Sequence, residues 1–398
     1  MPWKETSVMD ARVRFVADVA REHFSVSELC RRHGISRKVG YKWLRRYQTE
    51  GVDGLKDHSR RPQHSPHATP EPITDAILKL RRRRPHWGAR KLLNRLQREH
   101  PRWTLPHPTT AHELLKRHGL VPAPRRRTRR AHPGRPTTPM TAPNEIWTAD
   151  FKGQFKTRNG LYCYPLTIQD GFSRYLLGCR GLLEPTTVGT RRAFERLFRQ
   201  YGLPLIIRTD NGTPFASHAL GRLSSLSVWW VRLGIFPELI EPASPHQNGR
   251  HERMHRTLKK ETAIPPAPNL RAQQQRFDRF RHEFNEERPH EALGQRLPSE
   301  LYSASARPFP RRLPPLVYPA HYEVRLVSNN GGIRWGNKRV PVSHLLAQQY
   351  VGLEEVDDGR WVVYFGPVVL GWFEERELRI VDHRGRWYRR PLSPMYPD

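Results

Sequence analysis

Three stretches decide how this chain folds: IWTADF at 146–151, IIRTDNG at 206–212 and SPHQNGRHE at 244–252. The first two are apolar runs of strand length, and the aspartates Asp150 and Asp210 stand where these runs end. The third stretch is polar, follows a helical pattern and carries Glu252. If the two strands are neighbours in one sheet, the three carboxylates can meet at the edge of that sheet.

The helix that carries Glu252 has a clear start in the sequence. Ser244 is placed to act as its N-cap and Pro245 as its first residue, where a missing amide hydrogen costs nothing. Glu252, Arg256 and Lys259 are spaced to share one face of this helix. A carboxylate flanked by two cations suits a surface that faces DNA.

Three carboxylates in one small space indicate a metal site that acts on phosphodiesters. Two divalent cations about 3.5–4 Å apart can stabilise both the attacking and the leaving oxygen of such a reaction. Mg²⁺ is the expected ion because it accepts a few carboxylates and keeps water and phosphate oxygens as its other ligands. Mn²⁺ is an expected substitute. The predicted ligands, which are also the predicted catalytic residues, are Asp150, Asp210 and Glu252.

Each acid also has a purely structural interpretation. Asp150 can cap the end of a strand, Asp210 can belong to an Asp-Asn-Gly turn, and Glu252 can form a solvated pair with Arg256. Asp170 is a competing carboxylate, but Asp170-Gly171 is better explained as a hairpin turn. The metal site therefore depends on the three acids being considered together.

The residues around the acids predict an α/β domain over 144–305. Strand-like runs cover 145–152, 161–169, 174–181 and 204–209, and helical patterns cover 187–201, 216–232, 246–262 and 270–286. Three antiparallel strands followed by alternating helix and strand are typical of a ribonuclease-H-like core.

Residues 8–57 predict a first helix-turn-helix DNA-binding domain of three short helices with a turn at Gly34. In the third helix, Val39, Trp43 and Leu44 are expected to point inward. The alternative is a helical bundle with a solvated basic face, but the total charge favours DNA. The predicted DNA-binding residues of this helix are Arg37, Lys38, Lys42, Arg45 and Arg46.

A second helix-turn-helix domain is predicted over 70–122, so that two modules in tandem would cover a long DNA site. The Pro- and His-rich segment 58–70 between the modules is predicted to be a linker. Its Arg60-Arg61 pair could enter a minor groove or serve as a tether. Residues 123–143, with arginines among prolines, are predicted to be a basic linker that orders on phosphates.

Beyond a Pro-rich segment, residues 318–382 change to short runs of alternating apolar residues separated by Gly-containing turns. This pattern predicts a small β-barrel. Contact with DNA and bridging between subunits are equally compatible with it. The overall fold prediction is thus a multidomain α+β protein with tandem helix-turn-helix units, a ribonuclease-H-like core and a C-terminal barrel.

The composition favours a polyanion as partner. The net charge is +31 and the pI is near 10.9 over 398 residues, which points to nucleic acid. Three scattered cysteines offer neither a disulfide framework nor a zinc pair, and therefore indicate a reducing cytosol. The chain has no apolar run long enough for a membrane span and no signal peptide. We therefore expect a soluble, intracellular protein.

The sequence blocks around the acids resemble one known family. WTAD at 147–150, TDNG at 209–212 and NGxxE at 248–252, together with RPHEAL at 288–293, are similar to the signature blocks of the retroviral-integrase-like DDE transposases. The tandem helix-turn-helix units resemble those of bacterial insertion-sequence transposases. The resemblance covers about residues 10–305. Two features depart from the retroviral enzymes: the interval between Asp210 and Glu252 is longer, and a zinc module is absent.

The resemblance implies a transposase that binds the inverted-repeat ends of a mobile element on double-stranded DNA. It implies two Mg²⁺ ions held by the three acids, cleavage at the element ends, and attack by a 3′-hydroxyl on target DNA within a homo-oligomer. A non-catalytic DNA-binding regulator derived from a transposase remains the main alternative. A ribonuclease-H-like nuclease acting on hybrids or junctions is a second alternative.

Overall fold

The computed structural model describes residues 7–58, 68–121, 138–241 and 249–382. The chain divides into two compact units, Met1–Thr69 and Pro70–Asp398. Each unit is described by itself.

The first unit is a three-helix module: α1 spans Val8–Ala20, α2 Val26–Arg32 and α3 Arg37–Glu50. Each helix is capped by a serine whose hydroxyl accepts a hydrogen bond from the backbone amide three residues later. This bond satisfies an amide that has no partner within the helix. Phe15, Leu29 and Trp43 lie in its core. Of the three side chains predicted to point inward from α3, Trp43 is buried and Leu44 is partly buried, but Val39 is exposed.

The second unit opens with three more helices, α4 Glu71–Arg83, α5 Ala89–Glu99 and α6 Pro108–Arg117. Their core includes Trp87 and Leu92. These helices pack on the central domain through ion pairs: Arg84 pairs with both Glu283 and Glu287, and Arg98 pairs with Glu300. The second helical module is therefore part of the same compact body as the core.

The central domain contains a mixed sheet and four helices. In chain order its elements are β1 Ile146–Phe151, β2 Phe155–Lys156, β3 Tyr162–Asp170, β4 Leu176–Leu182, α7 Thr187–Tyr201, β5 Ile206–Thr209, α8 Ser225–Arg232, β6 Phe236–Leu239, α9 Gly249–Leu258 and α10 Leu270–His282. Strand β3 pairs antiparallel with β1, β2 and β4, whereas β1, β5 and β6 run parallel. This is the predicted order of three antiparallel strands followed by alternating helix and strand.

Apolar side chains cover both faces of this sheet. One cluster joins Trp147 and Ile207 of the sheet to Phe198 of α7 and Trp230 of α8. A second cluster places Met254 of α9 and the phenylalanines of α10 against the β3–β4 side of the sheet. Successive side chains of a strand point to opposite faces. One face of β1 and β5 is therefore apolar, with Trp147 and Ile207 buried, whereas the other face carries the buried polar side chains Thr148 and Arg208.

Two sequence predictions in this domain need correction. The helix predicted over 216–232 begins only at Ser225, where Ser224 caps it, and a short 3₁₀ turn at Leu220–Arg222 precedes it. The strands β2 and β6 were not predicted, and both are short edge strands. Strand β6 contains Pro237, a residue type that weakens the strand signal in a sequence.

The C-terminal region forms an open antiparallel sheet, and the predicted barrel does not close in the described residues. Its strands are β7 Glu323–Leu326, β8 Gly332–Trp335, β9 Lys338–Pro341, β10 Tyr350–Asp357, β11 Arg360–Phe365, β12 Val368–Glu374 and β13 Arg379–Val381. Five of them pair in the order β13-β12-β11-β10-β7, and β8 and β9 form a separate hairpin. The apolar face of the sheet packs against Ile333 and Val340 of the hairpin, and Leu220 and Val231 of the central domain join the same cluster.

In the parts of the chain that the structure describes, no helix combines the length and the apolar character required to cross a membrane.

Candidate active site

Asp150 and Asp210 lie side by side at the ends of parallel strands. In the register of β1 and β5, Ala149 is opposite Thr209, so the next residue of each strand is one of the two aspartates. Neighbouring strands are about 4.8 Å apart. The sheet therefore brings together the first two acids that the sequence singled out.

The two aspartates repel one another when both are charged. Burial, followed by the charge of Asp210 and then that of Glu252, raises the pKa of Asp150 to about 7. Burial also raises the pKa of Asp210, although the amide of Gly212 donates a hydrogen bond to its carboxylate. A cation bound between two carboxylates favours their charged forms and would lower the pKa of both.

Glu252 lies in the first turn of α9 and lines the same cleft as Asp150. This cleft has a volume of about 580 Å³, and its walls include Arg256 and Lys259. Met254 and Leu258 are buried against the core and fix the rotation of α9, so that Glu252 is exposed to the cleft. The predicted cap at Ser244 and Pro245 lies outside the described residues.

The donor set fits a hard divalent cation, because it consists of carboxylate oxygens whose mutual repulsion a cation would relieve. Among the residues that the structure describes, however, no group of three or more His, Cys, Asp or Glu side chains is close enough together to hold a metal ion. Asp150 and Asp210 form the fixed part of the candidate centre. Glu252 lines the same cleft as Asp150, on a helix that begins next to the undescribed residues 242–248.

Two buried histidines behind Asp150 were not predicted from the sequence. His251 is hydrogen-bonded to Thr148 at 2.9 Å and to Thr167 at 2.6 Å. His255 is hydrogen-bonded to the same Thr167 hydroxyl at 2.6 Å, and its Nδ1 lies 3.6 Å from Oδ2 of Asp150. The sequence signal that could have found them is their spacing of four residues, which places both on one face of a helix.

These histidines are neutral and can act as a chain of hydrogen bonds. Burial lowers the pKa of His251 to about 3, and burial together with His251 and Lys152 lowers the pKa of His255 to about 2. One consistent placement of protons runs from Thr148 through His251, Thr167 and His255, and leaves Nδ1–H of His255 facing Asp150. This contact measures 3.6 Å from His255 Nδ1 to Asp150 Oδ2.

Asp170 has a structural environment, as its sequence context predicted. Its carboxylate is fully buried and accepts hydrogen bonds from the amides of Asn144 and Ser173, both at 2.8 Å, and from the Ser173 hydroxyl at 2.6 Å. It pairs in register with Trp147, three residues from Asp150 along β1. Asp170 therefore ties the start of β1 to the β3–β4 turn and faces away from the cleft.

The predicted DNA-binding residues occupy two separate surfaces, one in each unit. On α3, Arg37, Lys38, Lys42 and Arg45 are exposed, whereas Arg46 is half-buried. Arg46 lies over the Trp43 ring and donates to the carbonyl of Lys56, so part of its role is structural. In the second unit, Arg256 and Lys259 are exposed on the wall of the Asp150 cleft.

Comparison with protein families matches the chain in two pairs of overlapping segments. Models described as Integrase core domain match residues 140–245 and 233–298. A Helix-turn-helix domain model matches residues 11–63, and a Homeodomain-like domain model matches residues 39–115. The two core segments together include all three acids of the candidate centre.

Individual proteins show the same similarity. An uncharacterized 31.7 kDa protein of the insertion element IS407 from Burkholderia multivorans is 27% identical over 297 residues, which cover 71% of this chain and 92% of that protein. The Pol polyprotein of Radiation murine leukemia virus is 31% identical over 119 residues, 29% of this chain and 19% of the polyprotein. The HTLV-2 integrase catalytic core domain, solved in complex with magnesium, is 20% identical, with a TM-score of 0.33 over 40% of this chain and 97% of that structure.

Proposed function

We propose that this chain, which belongs to the retroviral-integrase-like DDE superfamily as a bacterial insertion-sequence transposase, binds the inverted-repeat ends of its element and joins them to target DNA. The observation that carries the proposal is the placement of Asp150 and Asp210 at adjacent strand ends, with Glu252 on the wall of the same cleft. Asp150, Asp210 and Glu252 are proposed as the catalytic and metal-binding residues, and the helix-turn-helix units as the DNA-binding domains. The boundaries predicted from the sequence, 8–57, 70–122, 123–143, 144–305 and 318–382, remain the proposed domain limits.

The proposed chemistry divides between the cations and the protein. Two Mg²⁺ ions, or Mn²⁺ in their place, would stabilise the charge on the attacking and leaving oxygens of the phosphodiester. The carboxylates of Asp150 and Asp210 hold the site at a fixed edge of the sheet, and Glu252 completes it from α9. In strand transfer a 3′-oxygen of the element end forms a new bond to phosphorus as the target P–O3′ bond breaks.

The most direct test of this function is a strand-transfer assay with the full chain, Mg²⁺ and duplex DNA carrying the element's flanking repeats. We expect joined products with Mg²⁺ and none with EDTA. A protein that binds this DNA but never joins it would be the non-catalytic regulator. Preferential cleavage of an RNA–DNA hybrid would identify the ribonuclease-H-like nuclease instead.

Arg256 and Lys259 are proposed to hold the DNA strand at the cleft. Replacing both by Gln should weaken binding of element-end DNA in EDTA and reduce its dependence on salt. Each lost phosphate contact lowers the slope of log K against log salt by about 0.9, so we expect a change of about 1–2. The measurement is fluorescence anisotropy over a salt series.

The matched control replaces Arg271 and Arg279 of α10 by Gln. Both residues are exposed and line neither the acid cleft nor a neighbouring cavity, and the pair removes the same charge. If the Arg256/Lys259 variant has the salt slope of this control, the two residues do not contact phosphates.

His255 is proposed to orient Asp150. His255→Ala should lower both Mn²⁺ affinity and joining by about 10–100-fold, which is typical when the partner of a metal ligand is removed. His255→Asn keeps a polar group near the position of Nδ1 and should recover part of both. Half-saturation of joining by Mn²⁺ is the decisive readout, since a purely structural defect would lower activity without shifting it. An unshifted Mn²⁺ dependence would exclude the orienting role.

A further inference from the structure

A second cavity, beside α9 but apart from the acid cleft, gathers positive charge. It has a volume of about 260 Å³ and is lined by five cationic side chains and one acidic one. The cationic residues come from α5, from the β3–β4 turn, from α9 and from the segment after α10. They are Lys91, Arg174, Arg250, Arg253 and Arg288.

Four of these five cations have no carboxylate partner within 4 Å in the described residues. Arg288 is paired with Glu261 at 2.9 Å, but no such ion pair is formed by the other four. Arg250 donates to the carbonyl of Gly171 at 2.7 Å. The single acid of the cavity, Glu291, is exposed and lies 3.4 Å from Arg90. The cavity therefore holds several positive charges that its own residues do not neutralise.

The cations also repel one another. Burial, then the charges of Arg288 and Arg253, lowers the pKa of Lys91 to about 8. Burial, then Arg250 and Arg253, lowers the pKa of Arg174 to about 10. Charges that are partly withdrawn from water without partners destabilise a fold. An anion bound among them would remove that cost.

The size and position of the cavity suit a phosphate group. Because one water molecule occupies about 30 Å³ of the liquid, a cavity of about 260 Å³ can hold a phosphate with several waters. The guanidinium group of an arginine can donate two parallel hydrogen bonds to two oxygens of one phosphate. Helix α9 separates the cavity from the acid cleft, and a helix with its side chains is about 10–12 Å across. At about 3.4 Å of axial rise per nucleotide of one strand, that distance spans a few nucleotides.

We propose that this cavity binds a backbone phosphate of the DNA strand whose reacting end lies at Asp150 and Glu252. The choice of DNA as the ligand rests on the proposed function, whereas the positive charge of the cavity does not depend on it. Lys91 belongs to the second helical module and the other lining cations to the core, so the bound phosphate also tightens the docking of that module on the core. A DNA strand bound in the cavity would contact the protein on both sides of α9, at the cavity and at the acid cleft.

The test uses the full chain with Lys91→Gln and Arg253→Gln together, in EDTA, so that it does not depend on catalysis. Element-end DNA should bind more weakly, with a salt slope lower by about 1–2, whereas the Arg271→Gln/Arg279→Gln control should keep the wild-type slope. Without DNA the cavity variant should melt at the wild-type temperature or above it, because repulsion has been removed. A structural defect would lower that temperature.

Inorganic phosphate distinguishes DNA from a small anion as the ligand. At constant ionic strength, phosphate should raise the melting temperature of the wild type more than that of the cavity variant. If phosphate protects the wild type but DNA binding by the variant matches the control, the site holds a small anion and the DNA assignment is overturned. If the double variant does not fold, the single variant Arg253→Gln takes its place, because Arg253 is exposed and its replacement should not disturb folding. A wild-type salt slope of DNA binding in that variant would refute the proposal.

Loss of strand joining in Asp150→Asn with an intact salt slope would leave this proposal standing. Conversely, a protein that proves to be a non-catalytic regulator would still require the cavity for DNA binding. The two proposals can therefore fail separately.

Discussion

Asp150→Asn abolishes strand joining and leaves binding to element-end DNA unchanged: this is the largest effect that we expect from any single substitution. The carboxylate lies at the end of β1 beside Asp210 and on the wall of the Glu252 cleft. Loss of a group that only supports a metal ligand costs about 10–100-fold, so loss of a ligand should exceed about 100-fold. The measurement is single-turnover joining with Mg²⁺ and with Mn²⁺.

The same substitution should stabilise the metal-free protein. The pKa of Asp150 is raised to about 7, above its ordinary acid value, so the folded state binds more protons than the unfolded state between about pH 4 and pH 7. The metal-free wild type therefore loses stability as the pH rises through that window, and Asp150→Asn does not. Each kcal/mol corresponds to about 2–4 °C in melting temperature for a domain of this size.

We expect Asp150→Asn to be inactive in joining and, in EDTA at about pH 8, to melt at a higher temperature than the wild type. This combination separates a catalytic role from a structural one, because a strand-end cap would be destabilised by the substitution. An Asp150→Asn protein that joins DNA at the wild-type rate would contradict the assignment of the site.

Asp170→Ala should have the largest effect on stability. Its buried carboxylate is the acceptor for two backbone amides and a hydroxyl, from Asn144 and Ser173. Removing it leaves these donors without a partner in the interior, and a buried unsatisfied donor costs about 1–3 kcal/mol. We expect a loss of about 3–5 kcal/mol, which places the variant at the unfavourable extreme for single substitutions. Thermal melting of the full chain, followed by near-ultraviolet circular dichroism, measures it.

Asp170→Asn is the matched control, because an amide keeps one acceptor oxygen and should lose less. Joining activity of Asp170→Asn should follow its stability and recover on cooling. If that variant is fully folded yet unable to join DNA, Asp170 takes part in the chemistry and the separation of the two aspartates is wrong.

The acids could be predicted from the sequence because local pattern determines where a strand ends. β1 and β5 are apolar runs that stop at Asp150 and Asp210, and parallel neighbours end at the same edge of a sheet. Glu252 was predicted from the polar helical pattern of 244–252, and the family resemblance supported all three acids. Models described as Integrase core domain match residues 140–245 and 233–298, which include these acids. The roles of the individual acids stay predictions.

Features that depend on contacts between distant segments could not be predicted. The C-terminal strands form an open sheet and a separate hairpin in the described residues, and Leu220 and Val231 of the central domain join their apolar cluster. The cationic cavity brings Lys91 together with Arg174 and Arg253 from separate parts of the chain. No local pattern marks such a cluster among the many arginines of the sequence. The histidine chain was hidden for the same reason, since its threonine partners lie on β1 and β3.

The central claim is that the carboxylates of Asp150, Asp210 and Glu252 bind the same pair of divalent cations. A crystal structure of the full chain bound to element-end DNA in Mn²⁺, with anomalous scattering used to locate the metal, tests it most directly. The account predicts two manganese peaks in contact with the Asp150 and Asp210 carboxylates, with Glu252 turned toward them. Manganese bound elsewhere, or Glu252 held away from the metals in the DNA complex, would contradict it.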